Sequence, residues 1–180
     1  MTPVRTPIFG ITGWKNSGKT TLTTRLIAEF VRRGHRVASV KHAHHAFDVD
    51  TPGTDSFRHR EAGASEVAIA SGARVALMQE LRGAEEPGLA EILDRLAPAD
   101  LVLIEGYKRE GHPKIECRRA EGAPGKALAP ADPTVVAVAS DMPVDTRPLP
   151  CFDLDDIGAI ADFIADTLGL PAGNADAEAH

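Results

Sequence analysis

Gly13, Gly18, Lys19 and Thr20 occupy the fixed positions of G-x-x-x-x-G-K-[ST] in the run Gly13-Trp14-Lys15-Asn16-Ser17-Gly18-Lys19-Thr20. That spacing suits phosphate. Two glycines let the backbone turn tightly and leave no Cβ in the way of an anion. Main-chain N–H groups of such a loop converge on phosphate, aided by the positive end of the following helix. Lys19 is expected to place a compact charge on the β- and γ-phosphates, and the Thr20 hydroxyl suits Mg²⁺. Lys15 either touches phosphate or is solvated.

A carboxylate is the natural counterpart to this loop. Asp100-Leu101-Val102-Leu103-Ile104-Glu105 is an apolar run ending in an acid, the Walker B arrangement that places a carboxylate near metal and γ-phosphate. Glu105 replaces the commoner Asp, and its longer side chain leaves direct ligation or action through a bound water open. With Lys19 it is the expected catalytic pair. Phe47 to Ser56 is rich in Asp, Thr, Pro and Gly. It reads either as a loop that completes the metal site, through Asp50 with Asp48 and Asp55 beside it, or as an ordinary solvated loop. Arg58 and Arg60 follow, and either is a candidate for phosphate or for a partner's carboxylate. Asp141 closes a second apolar run. A carboxylate there can accept from guanine N1–H and its 2-amino group, a donor pair that adenine lacks, and Asp is also a common strand-ending residue. Lys41-His42-Ala43-His44-His45 sits at the end of another strand. His42 and His44 would point the same way along it. They suit structural hydrogen bonding, nucleotide or partner contact, or an incomplete metal site.

The elements that must position these groups follow from pattern. Ile8-Phe9-Gly10-Ile11 is a short apolar run before the glycine loop, and Leu22, Leu26 and Phe30 recur at helical spacing after it. Gly34 ends that helix, and Val37 to Val40 forms a strand. Residues 56–62 read as a short helix. Glu66 to Ser71 and Arg74 to Met78, joined through Gly72, predict an antiparallel hairpin. Pro87 opens a helix carrying Leu89, Ile92, Leu93 and Leu96. Leu101 to Ile104 and Thr134 to Ala139 are continuous apolar runs, as expected of parallel strands covered on both faces. Lys114 to Arg119 predicts a further strand, and 120–133 a Gly/Pro/Ala loop. Ile157, Ile160, Ile164 and Leu168 mark a final amphipathic helix capped by Asp153, Asp155 or Asp156. In an open α/β sheet, ligands bind at the carboxyl ends of the strands, where Lys41, Glu105 and Asp141 all fall.

The chain has 180 residues, 43% of them hydrophobic, and a net charge of −6 with a pI of about 5.6. One domain over residues 1–170 is expected, with a disordered tail at 171–180. The acidic balance argues against broad nucleic-acid binding. Cys117 and Cys151 are far apart and predict a reduced, cytoplasmic protein. No apolar run approaches the roughly 20 residues that span a bilayer, and the N-terminus has no signal-like apolar core.

Taken in order, several runs resemble the MobB family of molybdopterin-guanine dinucleotide biosynthesis proteins over about residues 7–170. They are the phosphate loop through Thr21, Val40-Lys41-His42-x-His44-His45, Gly53-x-Asp55-Ser56-x-Arg58 with Ala62-Gly63-Ala64, Asp100 to Lys108, Pro113 to Glu116 and Val138 to Asp141. The resemblance implies a homodimeric, GTP-binding, weakly GTP-hydrolysing accessory protein. It would act beside the guanylyltransferase MobA, which joins GMP to molybdopterin, and molybdopterin or molybdoenzymes are further implied partners. It also implies that residues 13–21 bind phosphates, with Thr20 on Mg²⁺ and Glu105 as the Walker B carboxylate. The residues themselves predict slow hydrolysis, because no water-orienting glutamine or arginine finger stands out. Alternative readings are a metallochaperone GTPase, a small-molecule P-loop kinase, or a non-catalytic nucleotide switch. The expected fold is a single α/β domain of P-loop NTPase type. It has a mostly parallel sheet with helices on both faces, and a β-hairpin insertion.

Overall fold

The computed structural model describes residues 6–43, 47–123 and 125–171. His44, His45 and the tail beyond Pro171 lie outside the described residues. The chain forms two compact units. One is built from the segment up to His42 together with the chain from Ile92 onward, and the other is Ala43–Glu91.

The first unit is organised by a six-stranded sheet. Its strands are β1 (Ile8–Gly13), β2 (Val37–Lys41), β5 (Leu101–Glu105), β6 (Lys114–Arg118), β7 (Val135–Ser140) and β8 (Cys151–Asp153), in the spatial order β2-β5-β1-β6-β7-β8. Every neighbouring pair is parallel. β5 is buried along its whole length, which explains why its apolar residues run without alternation. Residues 151–153 are too short and too mixed to signal a strand by pattern, and β8 was not expected. Two helices, α1 (Lys19–Arg32) and α4 (Ile157–Leu168), pack on each other and on one face of the sheet. Leu22, Leu26 and Phe30 of α1 and Ile160 and Ile164 of α4 join Phe9, Ile11, Leu103 and Ile115 in a single apolar core. Asp156 caps α4 by accepting from the Ala159 N–H at 3.1 Å.

The opposite face of this sheet carries buried polar groups. Lys114 is fully buried, and its ammonium donates to the Glu110 carbonyl and the Thr134 hydroxyl. Glu116, also buried, accepts from the Leu128 and Ala129 N–H groups at 2.9 and 3.0 Å. The long Gly/Pro/Ala loop after β6 is thus fixed by charged side chains of the strand that precedes it.

The second unit holds α2 (Asp55–Glu61) and the predicted hairpin, now β3 (Glu66–Ala70) and β4 (Val75–Gln79) in antiparallel pairing. The short helix α3 (Leu89–Asp94) follows in the chain. The Arg60 guanidinium reaches Asp48, Asp50 and Glu80 and ties the 48–60 loop to β4's end.

Candidate functional site

β1 delivers the chain to the glycine loop at the centre of the sheet, and α1 begins at Lys19. Gly13 has φ +143° and Gly18 φ +89°. A Cβ on Gly13 would stand 2.5 Å from Ser17 Oγ and 2.6 Å from the Cys117 carbonyl, so the turn tolerates only glycine there. Asn16 also takes positive φ. Gly18 is the N-cap of α1 and has no side chain with which to cap it, so the first-turn N–H groups are left to an external anion. Trp14 Nε1 donates to the Lys126 carbonyl at 2.8 Å, and the Ala123 N–H donates to the Lys15 carbonyl at 2.9 Å. The loop after β6 therefore buttresses the phosphate loop. Lys108 Nζ lies 4.1 Å from the centre of the Trp14 ring.

Lys19 Nζ donates to the Trp14 carbonyl at 2.6 Å. Burial lowers its pKa; Cys117 and Glu105 oppose that, while Lys108 and Lys41 add to it. Cys117 lies under this loop with its thiol pushed up to about 12, mainly by burial, so it is a neutral packing group at physiological pH. Thr20 Oγ1 donates to Glu105 Oε1 at 2.7 Å. Lys41 Nζ donates to Thr20 Oγ1 at 3.4 Å and lies 3.3 Å from Glu105 Oε1. The strand register makes this meeting unavoidable, since Lys41 of β2 pairs with Glu105 of β5, which pairs with Ile11 of β1. A hydroxyl and a carboxylate held together at the phosphate loop are hard oxygen donors, a set that fits Mg²⁺.

On the other side of α1's first turn, a cavity of about 100 Å³ is lined by Gly18, Thr21, Arg25, Arg119, Asp141 and Leu154, among others. Asp141 Oδ1 accepts from the Ala120 N–H at 2.9 Å, and Oδ2 is 3.4 Å from Arg119 Nε. Arg25 is paired with Asp155 at the same cavity. The structure thus brings residues 13–21 and Glu105 together, with Asp141 alongside across α1's N-terminus.

Asp50 is placed differently. It belongs to the 43–91 unit, where Oδ1 accepts from Ser56 Oγ, Thr54 Oγ1 and the Thr51 N–H, and Oδ2 pairs with Arg60. Both oxygens are engaged by the loop's own donors, so Asp50 anchors the loop. Arg60 is likewise held by three carboxylates, and Arg58 lies 3.9 Å from Asp55. His42 stacks on Tyr107, with ring centroids 4.7 Å apart, and its N–H donates to the Glu105 carbonyl. Among the described residues, no group of three or more His, Cys, Asp or Glu side chains is placed to hold a metal ion by itself, and no helix is long and apolar enough to cross a membrane. Both cysteines are free thiols.

A parallel sheet, a phosphate loop at its central strand and an acid at the end of the neighbouring strand describe many nucleotide-binding proteins. The comparison with known families decides among them. The model of the family described as molybdopterin guanine dinucleotide synthesis protein B, MobB, matches residues 8–141. The chain belongs to the MobB family. It is 44% identical to the molybdopterin-guanine dinucleotide biosynthesis adapter protein of Haemophilus influenzae, over 90% of this chain and 89% of that protein. It is 38% identical to the Escherichia coli adapter protein of the same name, over 89% and 92%. Among solved structures, a MobB homologue from Bacillus stearothermophilus matches with a TM-score of 0.67 at 28% identity, covering 91% of this chain and 99% of that one. Bacillus subtilis MobB matches with a TM-score of 0.71 at 26% identity, covering 90% and 98%.

In this MobB chain, Lys41, Lys108, Arg119 and Arg25 join the site beyond the residues expected from motif. Lys41 and Lys108 lie inside runs that carry the family resemblance, so a signal was present without a role attached. Arg119 and Arg25 gave none, because their place depends on how β6 and α1 face β8.

Proposed function

We propose that this protein binds GTP with Mg²⁺ and serves as an accessory adapter in molybdopterin-guanine dinucleotide biosynthesis, beside the guanylyltransferase MobA and as a homodimer. The observation that carries the nucleotide reading is the joining of three features on one helix terminus. These are the uncapped phosphate loop, the Thr20–Glu105 pair and the Asp141-lined cavity. Lys15, Lys19, Lys41 and Lys108 gather around this loop or the adjoining strand ends in a chain whose net charge is −6. A concentration of cations against an acidic background suits a polyphosphate.

In this reading the N–H groups of residues 13–20 and the Lys19 ammonium hold the β- and γ-phosphates. To do so, Lys19 leaves the Trp14 carbonyl. Thr20 and Glu105 would hold Mg²⁺, which when bound supplies charge neutralisation at the β- and γ-phosphate oxygens. Asp141 accepts the guanine donors, and Leu154 and the stem of Arg119 supply walls for the base. Hydrolysis is slow in this reading because no water-orienting glutamine or arginine finger stands out, and Arg60, one of the candidate arginines, is engaged by Asp48, Asp50 and Glu80. A conformational role, passed to partners, fits better than rapid turnover.

Isothermal calorimetry with GTP, GDP and ATP, each with and without Mg²⁺, tests this on wild type and Lys19→Ala. Preference for GTP that disappears in the variant supports the reading. Equal or tighter ATP binding overturns the guanine assignment and favours a kinase.

A further inference from the structure

The phosphate site has a cationic side chain that motif reading leaves without a task. Lys41 ends β2, and its ammonium lies within 3.4 Å of Thr20 Oγ1 and 3.3 Å of Glu105 Oε1. These two oxygens are the donors that would hold a divalent cation, and they are 2.7 Å from each other. An ammonium and a magnesium ion cannot both occupy the mouth of that pair: the charges repel, and the Glu105 oxygen that faces the hydroxyl is the one that faces Lys41.

The position is built. Lys41 and Glu105 are paired residues in the β2–β5 ladder. The next residue is pinned as well, because the His42 N–H donates to the Glu105 carbonyl at 2.9 Å and its ring stacks on Tyr107. The root of the Lys41 side chain is therefore fixed to β5, while the side chain as a whole is 60% exposed. Glu105 is only 10% exposed and stays in place. A fixed root with a solvent-exposed charged side chain is the arrangement of an exchangeable counter-ion.

We propose that Lys41 is a resident cation of this site. Its ammonium takes the divalent cation's place on Thr20 and Glu105, and it gives way when the metal arrives. This rests on the nucleotide reading above. It has two consequences of the same sign. Without metal, Lys41 supplies positive charge next to the phosphates, so wild type binds nucleotide with a modest need for Mg²⁺. With metal, Lys41 competes for Thr20 and Glu105, so the benefit of Mg²⁺ is muted. Removing the charge weakens metal-free binding and strengthens the metal's contribution together.

The experiment is a set of GTP titrations by calorimetry in EDTA and in saturating Mg²⁺, on wild type, Lys41→Met and Lys41→Arg. The readout is the ratio of the two dissociation constants for each protein. Because the Lys41 side chain is largely exposed, both variants should fold, and thermal melting checks this. The ratio is expected to rise by about tenfold in Lys41→Met, the scale of an ordinary coupling between two ligands, and to stay near wild type in Lys41→Arg. An unchanged ratio in Lys41→Met overturns the role of Lys41 while leaving nucleotide binding intact. The same rise in Lys41→Arg shows that charge is not the agent and also overturns it. A wild-type protein that binds no nucleotide in either condition overturns both this role and the nucleotide reading beneath it.

Discussion

Replacing Asp141 by Asn tests the base side of the site with little change in shape. In the structure Oδ1 of Asp141 is held by the Ala120 N–H at 2.9 Å, which orients the carboxylate, and Oδ2 lies 3.4 Å from Arg119 Nε. That ion pair is substantially exposed, with 45% of the arginine side chain and 35% of the aspartate side chain accessible, so loosening it costs at most about 1 kcal/mol. Against this, a carboxylate that accepts from guanine N1–H and the 2-amino group gains two charge-assisted bonds of about 1.5–3 kcal/mol each. Asp141→Asn keeps one acceptor and turns a donor toward the base. The loss in GTP affinity is expected near 3 kcal/mol, or about 100-fold, while ATP affinity stays close to wild type. Xanthine carries a carbonyl where guanine carries the 2-amino group, so the variant should gain xanthosine triphosphate as it loses GTP. Calorimetry with the three triphosphates reads all of this. Equal losses for GTP and ATP would mean that Asp141 shapes the cavity without reading the base, and an unchanged GTP affinity would refute the placement of guanine here.

Lys19→Ala should lower triphosphate affinity by about 100-fold, the scale of a lost hydrogen-bonded charge on phosphate, with no change in melting temperature; equilibrium binding against thermal melting separates the two. His112 is 6% exposed with neither ring nitrogen partnered, and burial, then the Lys114 charge, lowers its pKa to about 4. The unfolded chain takes up that proton first, near pH 6.5, so stability is full above pH 6.5 and falls by about 3 kcal/mol as the pH drops to 4. Denaturant unfolding at several pH values should show this acid slope reduced in His112→Leu, and an identical slope would count against it. Arg60→Ala removes the guanidinium shared by Asp48, Asp50 and Glu80. Hydrogen exchange should quicken across residues 47–61 while β1 and β5 keep their protection; uniform quickening would argue against a local anchor.

The sequence announced those features whose signal is local. The strands around Phe9, Leu103 and Val138 have continuous apolar runs because both faces are covered. α1 shows its stripe because Leu22, Leu26 and Phe30 face one core. The hairpin turned at Gly72 as its spacing required. β8 escaped because three residues cannot establish a period, and Cys151–Asp153 becomes a strand only by pairing with β7.

The site divides along the same line. Gly13 to Thr20 is legible because one turn of backbone makes the phosphate cradle, and contiguous residues specify it. Asp50 stayed open because a carboxylate in a polar loop looks the same in sequence whether it faces a cation or its own chain. Only the fold shows Ser56, Thr54 and Arg60 closing on it. Lys41 is the reverse case. Nothing near it in sequence gives it a partner, and its meeting with Glu105 is set by the register of β2 on β5, sixty-odd residues apart. Strand pairing at that distance is a tertiary fact, and it follows from where the core seats each strand. Chemistry that depends on one loop can therefore be read from sequence. Chemistry that depends on two strand ends meeting must wait for the register, and at this site the register brings an ammonium, a hydroxyl and a carboxylate to one point.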